Sequence, residues 1–141
     1  MKRMYATILI LIMTLKAFAP CDNKLYIPEP AVINPFEAIW NATCLIESSG
    51  NPFAIGDKNL INHSYGIAQI RNEKLIDFHK ATGIRYDTLD MFDVNKSREV
   101  YMHHASRFDP WDIELVAKSW NGSGPMVEGY WRKVKAKLNT I

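Results

Sequence analysis

Apolar residues recur at helical spacing from Asn34 to the end of the chain, in short segments that proline, glycine or capping residues interrupt. The segment Asn34-Pro35-Phe36-Glu37 is typical of a helix start, because an N-cap residue precedes a proline and a glutamate follows three residues after the cap. We expect this helix to end near Ser48, before the helix-breaking residues 50–52. The stretch 50–66 is rich in turn-forming residues. Strand signals are weak throughout, so the sequence predicts a mainly α fold.

Four further helices are predicted by the same criteria. The second covers about residues 70–82, and Asp93 is expected to cap a third helix that includes Phe108. The sequence Asp109-Pro110-Trp111-Asp112 is expected to start a fourth helix, and Pro125 to open the last one. Five short helices in a chain of 141 residues predict a single domain with one modest core.

The N-terminus has the features of an export signal. Lys2 and Arg3 precede an apolar run from Met4 to Leu15, and Ala17-Phe18-Ala19 is similar to a signal-peptide cleavage site. The apolar run is shorter than the roughly 20 residues that a membrane-spanning helix needs. We therefore predict a signal peptide at residues 1–19 and a location in the periplasm or cell envelope, with an uncleaved membrane anchor as the alternative.

The remaining chain divides into a tether and a domain. Residues 20–33 contain three prolines and no periodic apolar pattern, which is typical of an extended tether, and residues 34–141 form the predicted domain. The whole chain has 17 basic and 15 acidic residues, but three basic residues lie in the acid-free signal segment. The rest is close to neutral, which excludes strong electrostatic capture of nucleic acid or of an anionic membrane. Neutral polymers and small molecules are the expected ligands.

The two cysteines leave two interpretations open. In an exported chain Cys21 and Cys44 can form a disulfide, whereas in the alternative Cys44 is a buried small apolar residue and Cys21 a free thiol. Metal binding is not predicted, because no further cysteine is present and the adjacent His103 and His104 would point about 100° apart on a helix.

One carboxylate interrupts an apolar helix face. On a helical wheel Glu47 continues the stripe of Phe36, Trp40 and Cys44, within roughly 80° of them. It also lies in the last turn of its helix, where the negative end of the helix dipole disfavours another negative charge. Apolar surroundings and the dipole both raise the pKa of a carboxylate, as a general acid at neutral pH requires. The alternative is a salt-bridged or solvent-facing glutamate.

The neighbourhood of Glu47 carries a recognisable set of motifs. The stretch 47–55 reads ESSGNPFAI, residues 64–70 read SYGIAQI, and residues 117–125 read AKSWNGSGP. These segments resemble, in order and spacing, the patterns E-S-x-x-N-P-x-A, S-x-G-x-x-Q and A-x-[YW]-N-x-G of lytic transglycosylases of the soluble-transglycosylase type. Weaker, shortened matches occur at residues 92–95 and 128–134. The resemblance spans about residues 36–136 and implies a lysozyme-like helical domain whose turn-rich segment forms a cleft.

The resemblance also implies a reaction. Glu47 matches the family's single catalytic acid, which protonates the glycosidic oxygen between N-acetylmuramic acid and N-acetylglucosamine. The same carboxylate then acts as base on the muramic 6-hydroxyl, which closes a 1,6-anhydro ring. Because an intramolecular hydroxyl replaces water, no second catalytic carboxylate is required.

Five further residues match positions of the family that contact substrate or lie near the acid. They are Ser64, Gln69, Trp120, Asn121 and Tyr130. Four of them also have a purely structural interpretation, namely a turn residue for Ser64, packing for Trp120 and Tyr130, and a helix end for Asn121. Trp120 stands where many members have tyrosine, so a phenolic hydrogen bond is missing there.

Two other functions remain in competition with the lyase. A lysozyme-like hydrolase would need a second carboxylate, and Asp57 is the one acid between Glu47 and Gln69. A non-catalytic wall-binding module would retain the cleft, although it has no reason to place an acid on an apolar stripe. None of the three functions implies a cofactor. The expected partner is the peptidoglycan glycan strand, and the protein is expected to act on it as a monomer. The resemblance to small family members implies a secretion or conjugation machine as a second partner.

Overall fold

Five α-helices account for most of residues 34–140, which are the residues that this computed structural model describes. The helices are α1 Glu37–Ser48, α2 Asn72–Thr82, α3 Val94–Ala105, α4 Ile113–Asn121 and α5 Val127–Leu138. One 3-10 helix, Leu89–Phe92, precedes α3, and two short strands, β1 Ile55–Gly56 and β2 Ser64–Tyr65, lie between α1 and α2. The predicted mainly α fold is therefore confirmed. The predicted signal peptide, the tether and Cys21 lie outside the described residues.

The first helix begins two residues later than its proline predicted. The Asn34 side chain does accept a backbone N–H, from Phe36 at 3.0 Å, but it closes a turn ahead of α1 rather than capping the helix. The Asn34 carbonyl accepts the N–H of Glu37 in the same turn. The carboxylate of Glu37 forms an ion pair with Arg98 of α3, so it ties two helices together.

The caps of α3 and α4 give one confirmed and one corrected prediction. Asp93 caps α3 as predicted, since its side chain accepts the N–H groups of Asn95 and Lys96. The third helix ends at Ala105, however, so Phe108 lies beyond it. The fourth helix is capped by Asp112, whose side chain accepts the N–H of Leu115, whereas Asp109 closes a turn ahead of the helix by accepting the N–H of Trp111.

Aromatic residues form the centre of the core. The Tyr101 ring lies between Trp40 of α1 and Trp120 of α4, with ring centroids 5.1 and 4.6 Å away. Helix α1 contacts α3, α4 and α5, which explains why five of its twelve residues are buried. Cys44 is among them, and burial raises the pKa of its thiol to about 12. Because Cys21 lies outside the described residues, the structure does not decide between the disulfide and the free thiol.

A small hairpin projects from the helices next to the end of α1. Strands β1 and β2 are antiparallel, with Ile55 opposite Tyr65 and Gly56 opposite Ser64. Two-residue strands leave no alternating pattern in a sequence, which is why this segment is recognisable only as turn-rich. None of the helices within residues 34–140 is both long and apolar enough to cross a bilayer.

Candidate active site

Glu47 lies near the end of α1 and is half-buried. Burial raises the pKa of its carboxyl, which is the largest influence on it. Asp57 raises that pKa further, whereas the Tyr130 hydroxyl, Arg71 and Lys133 lower it. The rise in pKa expected from the apolar stripe is therefore confirmed, and removal from water is its main cause.

Hydrogen bonds join the end of α1 to the hairpin that faces it. The Ser48 hydroxyl donates to the Ile67 carbonyl at 2.8 Å. The Ala54 carbonyl accepts the N–H of Gly66 at 2.9 Å and the Gln69 side-chain amide at 3.2 Å. The first two sequence motifs are thus one hydrogen-bonded unit, and this unit fixes the surroundings of Glu47.

Ser64 and Gln69 are used within the hairpin itself. Ser64 is 3% exposed, and its hydroxyl donates to the Gln69 side-chain carbonyl at 2.8 Å. The Gln69 amide nitrogen donates to the carbonyls of Gly66 and Ala54. Gly56 is required next to this pair, because a Cβ there would lie 2.1 Å from Gln69 Oε1. The structure therefore places both candidate substrate residues where they hold the hairpin together.

Tyr130 is the candidate residue that the structure brings against Glu47. It lies on α5, is 8% exposed, and interacts with both Glu47 and Thr43. Burial, followed by the charge of Glu47, raises the pKa of its hydroxyl above the usual range. Even so, this hydroxyl is buried and makes no hydrogen bond of standard geometry with the described residues. Such orphaned polar atoms are rare and require an explanation.

Trp120 and Asn121 have different environments although they are neighbours. Trp120 is 6% exposed, its ring packs against Tyr101 and His104, and the Lys74 ammonium lies 4.9 Å from the ring centroid. It is thus a core residue in this conformation. Asn121 is exposed as the last residue of α4.

Asp57, the second carboxylate of the hydrolase hypothesis, is held by an arginine. Arg71 donates from Nη2 and Nε to the same oxygen, Asp57 Oδ2, at 2.8 and 3.1 Å. Asp57 also has a left-handed backbone conformation, with φ at 53°. Sequence reasoning did not find Arg71 or Lys133 as neighbours of Glu47. Arg71 lies just after the second motif and Lys133 within the weak match at residues 128–134, and their proximity to Glu47 arises from the packing of the hairpin and α5.

A second polar cluster lies behind Trp120. The Lys74 ammonium lies 3.4 Å from His104 Nδ1, Arg107 also contacts that nitrogen, and His104 Nε2 lies 3.1 Å from the Ser119 hydroxyl. Burial lowers the pKa of His104 to about 3, with help from Lys74 and Arg107, and burial lowers the pKa of Lys74 to about 8. The cluster therefore requires a neutral His104.

This requirement predicts a pH-dependent stability. Below the ordinary histidine pKa of about 6.5 the unfolded chain takes up a proton that folded His104 refuses. We expect the free energy of unfolding to decrease as pH falls from about 6.5 towards 3, measured by urea denaturation at several pH values. His104→Gln should flatten this decrease between pH 7 and 5, where few carboxylates titrate. An unchanged slope in that variant would contradict the assignment.

Among residues 34–140, no three histidine, cysteine, aspartate or glutamate side chains are grouped as metal ligands would be. No protein-family model matches the chain, and the searches of curated proteins and of solved structures return no match either.

Proposed function

We propose that the protein is a peptidoglycan lytic transglycosylase with a lysozyme-like domain, and that Glu47 is its single catalytic acid and base. The observation that carries the proposal is a half-buried carboxyl of raised pKa, next to a hairpin that two matching motifs build. A carboxyl in this state keeps its proton at higher pH than an ordinary glutamate and can donate it to a glycosidic oxygen. The muramic 6-hydroxyl, already held near the anomeric carbon, then returns a proton to the carboxylate as the ring closes.

The environment of Asp57 favours the lyase over the hydrolase. A hydrolase of the inverting kind needs a free carboxylate roughly 6.5–9.5 Å from the acid to activate water. The ion pair with Arg71 occupies one oxygen of Asp57. The hydrolase remains the second candidate, since Asp57 is near enough to raise the pKa of Glu47.

The substitution Asp57→Asn separates these two candidates. In the lyase we expect most of the activity to remain, because Asp57 does not transfer a proton. In the hydrolase its loss would lower the rate by the roughly 10²–10⁴-fold typical of a missing general base. The measurement is the release of soluble fragments from purified peptidoglycan. Asp90→Asn is a matched control, because Asp90 forms a comparable ion pair with Lys96 and is not among the groups that shift the pKa of Glu47.

The proposed substrate implies a place of action. We propose that the chain is exported to the periplasm or cell envelope by its N-terminal apolar segment, where it acts on glycan strands. Small transglycosylases of this kind accompany secretion and conjugation machines, and such a machine is a proposed partner. Cell fractionation tests the location, and a full-length protein found soluble in the cytoplasm would refute it.

A further inference from the structure

Three hydroxyl groups lie behind Glu47 in a region that is otherwise apolar. Thr43 is on α1, one turn before Glu47, so the two side chains share a helix face. Tyr101 comes from α3 and Tyr130 from α5. Thr43 and Tyr101 are both 0% exposed, and Tyr130 is 8% exposed. Each of three separate helices thus places one hydroxyl in the interior near the Glu47 carboxylate.

Two of these hydroxyls form a hydrogen bond with each other. The Thr43 and Tyr101 oxygens are 3.1 Å apart, and either atom can be the donor. Valine and phenylalanine would fill the same volumes without any polar atom to satisfy. Relative to that apolar pair the two hydroxyls add nothing to packing, so their contribution lies in the hydrogen bond between them and in the polar groups that they can reach.

The third hydroxyl is the one left without a partner. The Tyr130 oxygen is buried and lacks a hydrogen bond of standard geometry among residues 34–140. Thr43 and Glu47 both lie near enough to shift the pKa of the Tyr130 hydroxyl. A shift of the Tyr130 side chain that brings its oxygen within hydrogen-bond distance of Thr43 and Glu47 would join all four groups in a chain.

The number of protons that the four groups carry determines which group donates and which accepts in such a chain. An ionised carboxylate only accepts hydrogen bonds, and each hydroxyl donates one proton. If Tyr130 donates to Glu47, its oxygen is free to accept from Thr43, and Thr43 can in turn accept from Tyr101. Each donated bond polarises the next hydroxyl and strengthens the bond that follows.

We propose that Thr43 and Tyr101 are positioning residues, which orient the Tyr130 hydroxyl as a donor to ionised Glu47. In the reaction, this donor would stabilise the carboxylate after it has given up its proton and until the 6-hydroxyl returns one. That catalytic consequence rests on the proposed function, whereas the orientation of the hydroxyl does not. The other charged groups that influence Glu47 are Asp57, Arg71 and Lys133. Among the described residues, none of them forms a hydrogen bond or an ion pair with Thr43 or Tyr101.

The test is a direct titration of Glu47 by carbon NMR in the full-length protein without glycan. Tyr130→Phe removes the donor, and we expect the pKa of Glu47 to rise by roughly 1, as loss of a hydrogen bond to a charged group implies. Thr43→Val and Tyr101→Phe leave the Tyr130 hydroxyl in place but remove the hydrogen bonds that orient it, so we expect smaller rises in the pKa of Glu47 of about 0.1–0.3. Thr43→Ser restores the hydroxyl and should return the pKa to its wild-type value.

Two comparisons make the result specific. Tyr86→Phe removes a tyrosine hydroxyl that donates to the carboxylate of Glu99, and it should leave the titration of Glu47 unchanged. Combined with Tyr130→Phe, Tyr101→Phe should add nothing, because its influence passes through the Tyr130 hydroxyl. Additive effects, or equal shifts in Thr43→Val and Thr43→Ser, would overturn the proposal. Since no substrate is present, these outcomes are independent of whether the protein cleaves peptidoglycan.

Discussion

Glu47→Gln is expected to lower the rate of peptidoglycan cleavage by roughly 10²–10⁴-fold, the usual effect of losing a general acid and base. Glutamine keeps the size and the hydrogen-bonding capacity of the side chain but cannot give up and regain a proton. The measurement is the initial rate of fragment release from purified peptidoglycan at the pH optimum of the wild-type protein.

Stability provides the control for this substitution. The folded pKa of Glu47 is raised above its unfolded value, so the stability it contributes is present at low pH and is lost as pH rises through the folded pKa. At neutral pH, Glu47→Gln should therefore unfold at the same temperature as the wild type or at a higher one. Glu37→Gln makes the same chemical change in the first turn of α1, at an exposed ion pair, and should retain activity. A folded Glu47→Gln protein with wild-type rates would refute the proposed role.

Gly66→Ala is expected to have the largest effect on stability. Gly66 has a φ of 75°, and a Cβ at this position would lie 1.8 Å from the Met91 carbonyl oxygen. That carbonyl belongs to the 3-10 helix and also accepts a hydrogen bond from the buried Ser97 hydroxyl. Left-handed strain and overpacking together should reduce the free energy of unfolding by about 2–5 kcal/mol, a large share of the stability of a small domain.

A second glycine separates the two contributions. Gly83 has nearly the same φ, 77°, but nothing lies within 4 Å of its Cβ position. Gly83→Ala should therefore show only the backbone strain, of about 1–2 kcal/mol. Chemical denaturation of both variants measures the difference. Equal losses at the two positions would mean that the close approach of Gly66 to the Met91 carbonyl does not contribute to the loss of stability.

The sequence predicted the helices well where a local signal exists. Asp93 caps α3 because one side chain and two neighbouring N–H groups suffice for the interaction. The start of α1 and the cap of α4 were misplaced, since Asn34 and Asp109 satisfy the same local rules but close turns instead. A sequence alone does not determine which of several nearby residues becomes the cap, because tertiary packing overrides the local preference.

The sequence also predicted part of the candidate site, again where the signal is local. The position of Glu47 follows from helical periodicity, and its raised pKa follows from burial of that helix face. The functions of Ser64 and Gln69 were less accessible, because their hydrogen bonds depend on a hairpin that has only two residues in each strand. The contact between Thr43 and Tyr101 joins α1 to α3 across the core, and no local pattern encodes it.

The most direct test of the proposed reaction is the chemical form of its products. Purified peptidoglycan would be digested with the full-length protein in water enriched in oxygen-18, and the fragments analysed by mass spectrometry. If Glu47 acts alone with the 6-hydroxyl as nucleophile, fragments end in 1,6-anhydromuramic acid, are lighter by one water than hydrolysis products, and carry no heavy oxygen. Fragments with new reducing ends that contain oxygen-18 would contradict the account and assign the cleavage to a water molecule.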